Sequence, residues 1–365
     1  MGVKEFLKQV NDIADKEHTK PSFDKSLNGA HIYNKEKVCK CERIFDGTVI
    51  DIEGNKKKIF PYGYAASFNK NYIAGQKAYE EKEWACSDRT GNILWKKKEA
   101  IHHDLYIDDK EIITFSKQCH KYKGREIDFD CIHAYDTETG KLLWRWSVWE
   151  HLHEFKKLHK TLSLDFPKIP FLPDAARRKE KSPWGGHYDY YRFNSLHILD
   201  HTHPQLKEKG FVKGNILITS RHASMLFLLD RKTKAILWHL KPDEVEKKLE
   251  GPHGAQLLEN NNLLIFDNGR YRGQSRVIEF NPLTKKNEWE YTQENFFTLS
   301  QGFAQRLENG NTLITQSEQG RIFEITHDKK LVWEYYHPDK QDKTNSKYPQ
   351  SYGQRQWIYR AKAYK

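Results

Sequence analysis

The stretch "AQLLENNNLLI" (255–265) returns as "AQRLENGNTLI" (304–314), with eight of eleven positions identical. A second element recurs around it, a polar turn followed by a short strand that ends in Trp. Its copies are "DRTGNILW" (88–95), "DTETGKLLW" (136–144), "DRKTKAILW" (230–238), "NPLTKKNEW" (281–289) and "THDKKLVW" (326–333), with a degenerate copy in "DIEGNKKKIF" (51–60). Short strands and tight turns with a period of about 40–50 residues are typical of a β-propeller. The six copies predict an all-β fold, a six-bladed β-propeller.

The tryptophans of this repeat are interpreted as structural. A large ring at one place in every blade packs against the next blade and needs no ligand. A two-layer sandwich, the alternative all-β arrangement, does not explain such regular spacing. The residues concerned are Trp95, Trp144, Trp238, Trp289 and Trp333.

The repeat also indicates the domain organisation. The gap between Trp144 and Trp238 holds one blade and a long insertion at about 150–190, which mixes a helical pattern with Pro-rich loop. Its aromatic residues suggest that it packs over something, and we expect it to cap one propeller face. Residues 31–365 are predicted to be one propeller domain, and residues 1–30 a short N-terminal helical extension.

The composition of the chain limits which classes of binding partner and which cellular locations are expected. The net charge is +11, but the basic residues are spread along the 365-residue chain, so nucleic acid is not predicted and small anions such as sulfate or phosphate esters fit equally well. No apolar run approaches the roughly 20 residues of a membrane helix. The first residues contain no visible signal peptide, which keeps the cytoplasm open. The five cysteines allow at most one bridged or redox-active pair, with Cys39 and Cys41 the nearest in sequence. The oligomeric state is not indicated.

Three histidines fall into register with the repeat. Aligning "IHHDLYIDDKEIITF" (101–115) with "PHGAQLLENNNLLIF" (252–266) places His102 on His253. The stretch "GNILITSRHAS" (214–224) brings His222 to the end of an inner strand as well. The innermost strand of a blade lines the central channel, so these residues are predicted to lie near the channel. Gly302 stands where the next blade would repeat His253, which makes that histidine an addition to the repeat.

Converging imidazoles have two chemical interpretations. Three of them can bind zinc or copper. Alternatively, one neutral ring attacks an electrophilic phosphorus or sulfur atom while the others, with an arginine, stabilise the oxyanions. The residues alone leave both interpretations open.

Several motifs together resemble the bacterial arylsulfate sulfotransferase (ASST) family. They are "HHDLYI", "NSLHIL", "GNILITSRHAS", "PHGAQLLENNNLLIFDNG", "SRVIEFNPLTKKNEWEY", "GFAQRLENGNTLITQSEQGRIFEIT" and "QWIYRAKAY". The resemblance implies a six-bladed propeller that moves a sulfuryl group from an aryl sulfate donor to a phenolic acceptor without the nucleotide donor PAPS. It also implies a ping-pong course through a sulfohistidine, no cofactor or metal, and a periplasmic or secreted location.

The resemblance also assigns the site. His253 falls on the nucleophile, and His222 and His102 on the other catalytic histidines. Arg221, His103, Asn194 and Asn268 are the predicted substrate-binding residues. Because side chains alternate along a strand, His102 is expected to point inward and His103 the other way. The alternative function is a non-catalytic propeller that binds an anionic ligand or acts as a scaffold.

Overall fold

The computed structural model describes residues 24–78, 81–158, 181–340 and 354–364. These residues form six sheets of four or five strands with very few helical turns, and the chain is a six-bladed β-propeller, as the repeat predicts. The described residues divide into two compact units, one within Tyr64–Leu240 and one that combines the residues up to Gly63 with those from Lys241 onward.

The first unit holds three blades, and in each of them the chain runs from the innermost strand outward. The first blade consists of β5 (Tyr64–Phe68), β6 (Tyr72–Gln76), β7 (Trp84–Asp88) and β8 (Ile93–Lys97). The second consists of β9 (His102–Ile107), β10 (Glu111–Tyr122), β11 (Arg125–Asp136) and β12 (Leu142–Ser147), and β13 (Tyr188–Asp189) pairs with β11 in parallel. The third consists of β14 (Phe193–Ile198), β15 (Ile216–Ser220), β16 (Met225–Leu229) and β17 (Ile236–Leu240).

The second unit also holds three blades. One consists of β18 (Ala255–Leu257), β19 (Leu263–Asp267), β20 (Arg276–Asn281) and β21 (Lys286–Tyr291). The next consists of β22 (Phe303–Arg306), β23 (Thr312–Gln316), β24 (Arg321–Ile325) and β25 (Leu331–Tyr336), with β1 (Gly29–Ile32) as a fifth, outer strand. In the last, β26 (Ala361–Tyr364) pairs with β2 (Glu42–Phe45), followed by β3 (Thr48–Ile50) and β4 (Lys56–Ile59).

The helical elements are short. The helix α1 spans Leu152–Leu158, and single 3₁₀ turns span Lys25–Leu27, Lys207–Lys209, Pro242–Glu244 and Ser317–Gln319. No helix in the described ranges has both the length and the apolar composition to cross a bilayer. All five cysteines are free thiols.

The polar turn of the repeat has a structural cause. Its first aspartate accepts hydrogen bonds from backbone amides later in the same turn, which replaces the ladder bonds that end there. Asp88 accepts from the amide of Thr90 at 2.8 Å, Asp136 from Thr139 at 2.8 Å, and Asp230 from Lys232 at 3.0 Å. The aspartates of the repeat therefore belong to the scaffold.

Neighbouring blades are joined by the predicted tryptophans. The indole N–H of Trp95 donates to the Thr137 carbonyl at 2.8 Å, in the outer turn of the next blade. Trp289 and Trp333 make the same bond to the carbonyls of His327 and Ile52. These contacts agree with a structural role.

The blade of Trp144 differs from this pattern. There Trp146 donates to the carbonyl of Lys234 at 3.0 Å, and it is fully buried. Trp144 is only partly buried and packs at the edge of the core. The ring of Trp238 contacts Phe211 with centroids 5.0 Å apart.

The hydrophobic core of each unit lies between its sheets. In the first unit Phe115, Phe193 and Phe227, from three different strands, pack with their ring centroids about 6 Å apart. In the second unit Phe266, Phe296 and Phe323 form a similar cluster, in which the rings meet edge to face. These contacts join strands of neighbouring blades within each unit.

Two predictions fall partly outside the described residues. Of the predicted extension, residues 1–23 lie outside them, and the described end forms a 3₁₀ turn and the strand β1. Of the insertion, residues 159–180 lie outside them, including Phe166 and Phe171. The described flanks of the insertion are the helix α1 and the segment from residue 181 to β13.

Candidate active site

His253 lies in the second unit, two residues before β18, and its side chain is buried. Its backbone N–H donates to the carbonyl of Phe266 on β19. Its Nδ1 lies 3.0 Å from the carbonyl oxygen of Gly251 and 2.6 Å from Oδ1 of Asn268, while Nε2 accepts the backbone N–H of Gln301 at 3.2 Å. A carbonyl only accepts, so we assign the proton to Nδ1 and the lone pair to Nε2.

Asn268 fixes that assignment. Its Nδ2 donates to the carbonyls of Thr298 and Gln301, each at 2.8 Å, and this orients the amide so that Oδ1 faces the histidine. The residue is completely buried. Asn268 therefore holds the His253 ring in the tautomer whose Nε2 can act as a nucleophile.

The loop that contacts Nε2 is held by a buried carboxylate. Glu318 accepts from the amides of Leu299 and Ser300 at 2.7 and 3.1 Å and from the hydroxyl of Thr298 at 3.1 Å. Burial raises the pKa of Glu318, and these hydrogen bonds oppose the shift. Gln301 has a φ of 73°, so the loop presents its amide from an uncommon backbone conformation.

Close packing explains why the residue that follows His253 is a glycine. Gly254 has a φ of 93°, and a Cβ there would lie 2.6 Å from the ring of Phe303. The guanidinium of Arg360 lies over the Phe303 ring, 4.5 Å from its centroid. The Phe303 ring thus packs closely against Gly254, the residue after His253, and also against the buried side chain of Arg360.

In the first unit, His102 and His103 are both buried, at the start of β9. Their Nδ1 atoms are 2.7 Å apart, and Nε2 of His102 lies 3.2 Å from the carbonyl oxygen of Ser116. His102 pairs with Phe115 on β10, as His253 bonds to Phe266, which matches the sequence register. Burial lowers the pKa of both rings well below the usual value, with nearby cations adding to the shift.

The expected alternation of these two side chains is wrong. His103 has a φ of 61°, and the pairing of β9 with β10 shifts register between Thr114 and Phe115. A bulge with a left-handed residue turns a side chain away from the normal alternation. The two rings therefore meet instead of pointing to opposite faces.

A buried cluster of charges lies behind the pair. Nζ of Lys117 is 2.5 Å from Oδ1 of Asp189 and 3.7 Å from Oδ1 of Asp130. The same Asp130 oxygen lies 3.4 Å from Nε2 of His102, and Asp189 also binds Arg192 at 2.9 Å. Burial raises the pKa of Asp130 to about 7 against the opposing charge of Lys117.

Trp184, in the described end of the insertion, covers His102. Its indole N–H lies within reach of the carbonyl of Ala100 at 3.2 Å and the hydroxyl of Ser116 at 3.3 Å. Its ring meets His102 edge-on, with centroids 5.4 Å apart. This part of the insertion thus contacts a predicted site residue.

The remaining predicted residues lie on the third blade of the first unit. Asn194 is completely buried at the bulge of β14 between Phe193 and Ser195. Nδ1 of His222 lies 3.0 Å from the carbonyl oxygen of Tyr190, and both His222 and Arg221 are partly exposed just after β15. Arg221 donates its backbone N–H to the carbonyl of Arg192.

Sequence reasoning missed Lys117, Asp130, Asp189 and Gln301. A signal for two of them was present, since Lys117 and Asp130 are charges inside otherwise buried strands, "FSKQC" and "DFDCI". Gln301 contacts His253 through its backbone, and a side-chain pattern cannot reveal that.

The described residues contain no group of three or more His, Cys, Asp or Glu side chains that could hold a metal ion. Arg231 lies in the turn between β16 and β17. The guanidinium of Arg231 forms a bidentate ion pair with Glu111.

The family model for arylsulfotransferase (ASST) matches residues 41–337, which is most of the chain and includes all seven predicted site residues. The chain belongs to the ASST family. A search of curated proteins returned no match.

Several solved structures are similar to this ASST-family chain. A protein of unknown function from Bacteroides caccae is 12% identical, covers 90% of this chain and 100% of its own, and has a TM-score of 0.49. The Cps50 (Swd1) β-propeller domain of Myceliophteria thermophila is 11% identical over 86% and 90%, with a TM-score of 0.43. A catalytically inactive virginiamycin B lyase from Staphylococcus aureus is 13% identical over 75% and 70%, with a TM-score of 0.39. Likenesses this distant support no conclusion about the activity of this chain.

Proposed function

We propose that this ASST-family protein moves a sulfuryl group from an aryl sulfate to a phenol, without PAPS, through a sulfohistidine on His253. The observation that supports this most directly is the hydrogen bonding of His253. Asn268 and Gly251 occupy Nδ1, so the lone pair on Nε2 is the only nucleophilic position of the neutral ring. The family resemblance implies that this nitrogen attacks the sulfur atom of an aryl sulfate.

The first half-reaction breaks the sulfur–oxygen bond to the aryl group. Nε2 of His253 attacks the sulfur, the phenolate leaves with the bonding electron pair, and the sulfuryl group stays on the ring. The departing oxygen needs a proton or a cation nearby. His102, His222 and Arg221 take that role in our proposal, with His103 and Asn194 as further substrate-binding residues.

In the second half-reaction an acceptor phenol attacks the sulfohistidine. A new sulfur–oxygen bond forms, the nitrogen–sulfur bond breaks, and the proton of the acceptor passes to the histidine that gave one to the departing phenolate. His253 returns to its neutral form, held again by Asn268.

The backbone N–H of Gln301 has a part in the first step. In the structure it donates to Nε2 of His253, the atom that must attack. We propose that a sulfate oxygen takes over this donor when the substrate binds, so that the amide changes from blocking the nucleophile to stabilising the oxyanion.

The same contact favours the second candidate function. A histidine whose Nε2 stays bonded to Gln301 does not react, and the protein would then be a propeller that binds an anionic ligand or serves as a scaffold. We propose a periplasmic or secreted location from the family resemblance alone.

Incubation with an aryl sulfate donor and a phenol acceptor tests the proposal. We expect a sulfated acceptor, and mass spectrometry of the donor-treated protein should find one sulfuryl group on the peptide that contains His253. The variant His253→Ala should lose turnover by roughly 10³-fold or more. His327→Ala, which removes an exposed histidine, is the matched control and should retain activity. Binding of aryl sulfates without turnover would favour the non-catalytic alternative.

A further inference from the structure

The loop before β22 divides three consecutive amides between two acceptors. The backbone N–H of Gln301 donates to Nε2 of His253 at 3.2 Å. The two amides before it, those of Leu299 and Ser300, donate to Glu318 at 2.7 and 3.1 Å. The direction of the third amide therefore depends on how the first two are held.

Glu318 holds this loop through both of its carboxylate oxygens. Its Oε2 accepts the hydroxyl of Thr298 at 3.1 Å and the amide of Leu299 at 2.7 Å. Its Oε1 accepts both the amide and the hydroxyl of Ser300, at 3.1 and 3.2 Å. Hydrogen bonds to a charged acceptor are stronger than those to a neutral one. Four of them, from three consecutive residues, hold the backbone up to the residue before Gln301.

Asn268 holds the carbonyls of the same loop. Its Nδ2 donates to the carbonyls of Thr298 and Gln301, each at 2.8 Å. The loop is thus bound on its amides by Glu318 and on its carbonyls by Asn268. Gln301 keeps a φ of 73° between these two anchors, a conformation that is uncommon for a residue with a side chain.

The sequence repeat shows that the scaffold does not require a glutamate at this position. The stretch "GNTLITQSEQG" (310–320) aligns with "GNILITSRHAS" (214–224), which places Glu318 on His222. Both residues follow the second strand of their blades, β23 and β15. At the same register, the blade of His253 has Gly269. Glu318 is therefore particular to its own blade.

Burial of this carboxylate costs stability. The side chain of Glu318 is buried, and burial raises its pKa because a charge is poorly solvated in the interior. A position that only fills space is normally apolar, and buried acidic residues are rare unless they bind a specific partner. In this protein the partner of Glu318 is the loop that contacts the candidate nucleophile.

We propose that Glu318 is a positioning residue that fixes the Gln301 amide as a rigid donor beside Nε2 of His253. The catalytic part of this inference rests on the proposed function, in which a sulfate oxygen takes over that amide. Because Glu318 and Asn268 bind the loop from two sides, the donor stays in place while its acceptor changes. A donor that is fixed in advance needs no reorganisation when negative charge develops on the sulfate oxygens.

The variant Glu318→Gln tests the carboxylate with the smallest change in shape. A glutamine side chain keeps one oxygen and replaces the other by an NH₂ group, which is a donor. Either orientation of this side chain places donors against donors on one side of the loop. We expect the backbone before Gln301 to shift and its amide to turn away from His253.

The matched control is Glu279→Gln. Glu279 is a buried carboxylate of the same unit, and it accepts the side-chain amides of Asn260 and Asn262 at 2.6 and 2.9 Å. It also binds Arg306 at 2.8 Å. Its loss removes a similar set of buried hydrogen bonds and leaves the contacts of Gln301 unchanged.

Nitrogen-15 NMR of the His253 ring is a readout that needs no turnover. The chemical shift of an unprotonated ring nitrogen changes when a hydrogen-bond donor leaves it. In Glu318→Gln the Nε2 signal should move toward the value of a nitrogen that accepts no hydrogen bond, and in Glu279→Gln it should stay at the wild-type position. The signal is assigned with His253→Gln. An unmoved signal in folded Glu318→Gln overturns the inference.

The second readout is the kinetics of both variants, measured per folded protein. In Glu318→Gln we expect kcat to fall about 10–100-fold and KM for the donor to change less than about 3-fold, because the amide acts on charge that develops in the transition state. Glu279→Gln should lose stability but keep kcat within about 2-fold. A purely structural Glu318 would lower the folded fraction and leave kcat unchanged.

The outcomes separate this inference from the proposed function. An unchanged kcat in Glu318→Gln, with turnover in the wild type, overturns the positioning role and leaves the proposed function intact. A wild type without turnover overturns the proposed function, while a moved Nε2 signal in Glu318→Gln still supports the positioning of the amide. If Glu318→Gln does not fold, Thr298→Val removes one of the four hydrogen bonds. It should then move the Nε2 signal in the same direction, and an unmoved signal overturns the inference.

Discussion

Nδ1 of His253 and Oδ1 of Asn268 are 2.6 Å apart, and the Asn268 amide is oriented by two carbonyls on its other side. The direction of this hydrogen bond is therefore fixed by the loop that holds Thr298 and Gln301. A residue just past the end of β19 thus decides which nitrogen of His253 is nucleophilic.

Asn268→Ala should lower both stability and turnover. It leaves two carbonyls without their donor and removes the group that selects the His253 tautomer, so we expect a loss of about 1–3 kcal/mol in the free energy of unfolding. Turnover should fall by about 10-fold or more. The control is Asn311→Ala, because Asn311 is also buried and donates to Lys37 and Glu324. Urea unfolding should show similar losses of stability for the two variants. If Asn311→Ala also lost turnover to the same extent, Asn268 would have no special role in selecting the His253 tautomer.

Gly254→Ala should destabilise the protein more than Gly124→Ala. Both glycines have a positive φ, at 93° and 78°. A Cβ at Gly254 would meet the Phe303 ring at 2.6 Å, whereas at Gly124 it would meet nothing within 4 Å. Gly124→Ala should cost about 1 kcal/mol from its backbone alone, and Gly254→Ala at least about 1 kcal/mol more from overpacking. If the two variants had equal midpoints of thermal unfolding, the Phe303 ring would have moved aside with no loss of stability.

Glu324→Gln should be strongly destabilising. Arg43 and Glu324 are both completely buried, 2.6 Å apart, and the guanidinium stacks 4.2 Å from the ring of Trp333. Neutralising one partner leaves a buried charge, which typically costs about 3–5 kcal/mol. Glu53→Gln breaks the exposed pair with Lys35 and should change stability by less than about 1 kcal/mol. Chemical denaturation of the two variants compares them directly, and a small effect of Glu324→Gln would mean that water reaches the pair.

His103→Asn should flatten the acid side of the stability profile. The folded-state pKa of His103 is lowered below 6.5, so below that pH the unfolded chain binds a proton that the folded chain does not. The stability contributed by the neutral ring is present above about pH 6.5 and is lost as the pH falls. Asn also tolerates the left-handed backbone of this position. Denaturation between about pH 7 and 5 should therefore show a smaller loss for this variant than for the wild type.

The control for this prediction is His327→Asn, which removes an exposed histidine. Its pH profile should run parallel to that of the wild type. A parallel profile for His103→Asn as well would mean that the buried ring is protonated in the folded state.

The fold could be read from the sequence because its determinants are local. A polar turn followed by a short strand with an aromatic residue recurs in every blade. The contacts of two examples, Asp136 and Trp95, stay within one hairpin or reach the next blade. The strand register was predictable for the same reason, since His102 and His253 each lie opposite the phenylalanine that the repeat predicts.

The environment of the candidate site could not be read in the same way. The orientation of His103 depends on a bulge set by the pairing of β9 and β10, and a strand periodicity assumes that no bulge exists. The contact of Gln301 with His253 depends on a backbone amide, for which any residue type would serve. The cluster of Lys117 and Asp189 joins residues on two strands that both pair with β11, across a long stretch of chain.

The pairing of β26 with β2 constrains how the protein is made. Residues 361–364 supply the strand that completes the blade of residues 42–59, so that sheet can close only after this distant segment has been synthesised. Until then, the edge of β2 exposes unpaired backbone groups and invites association with other strands. The edge of β2 therefore needs protection until residues 361–364 have been synthesised.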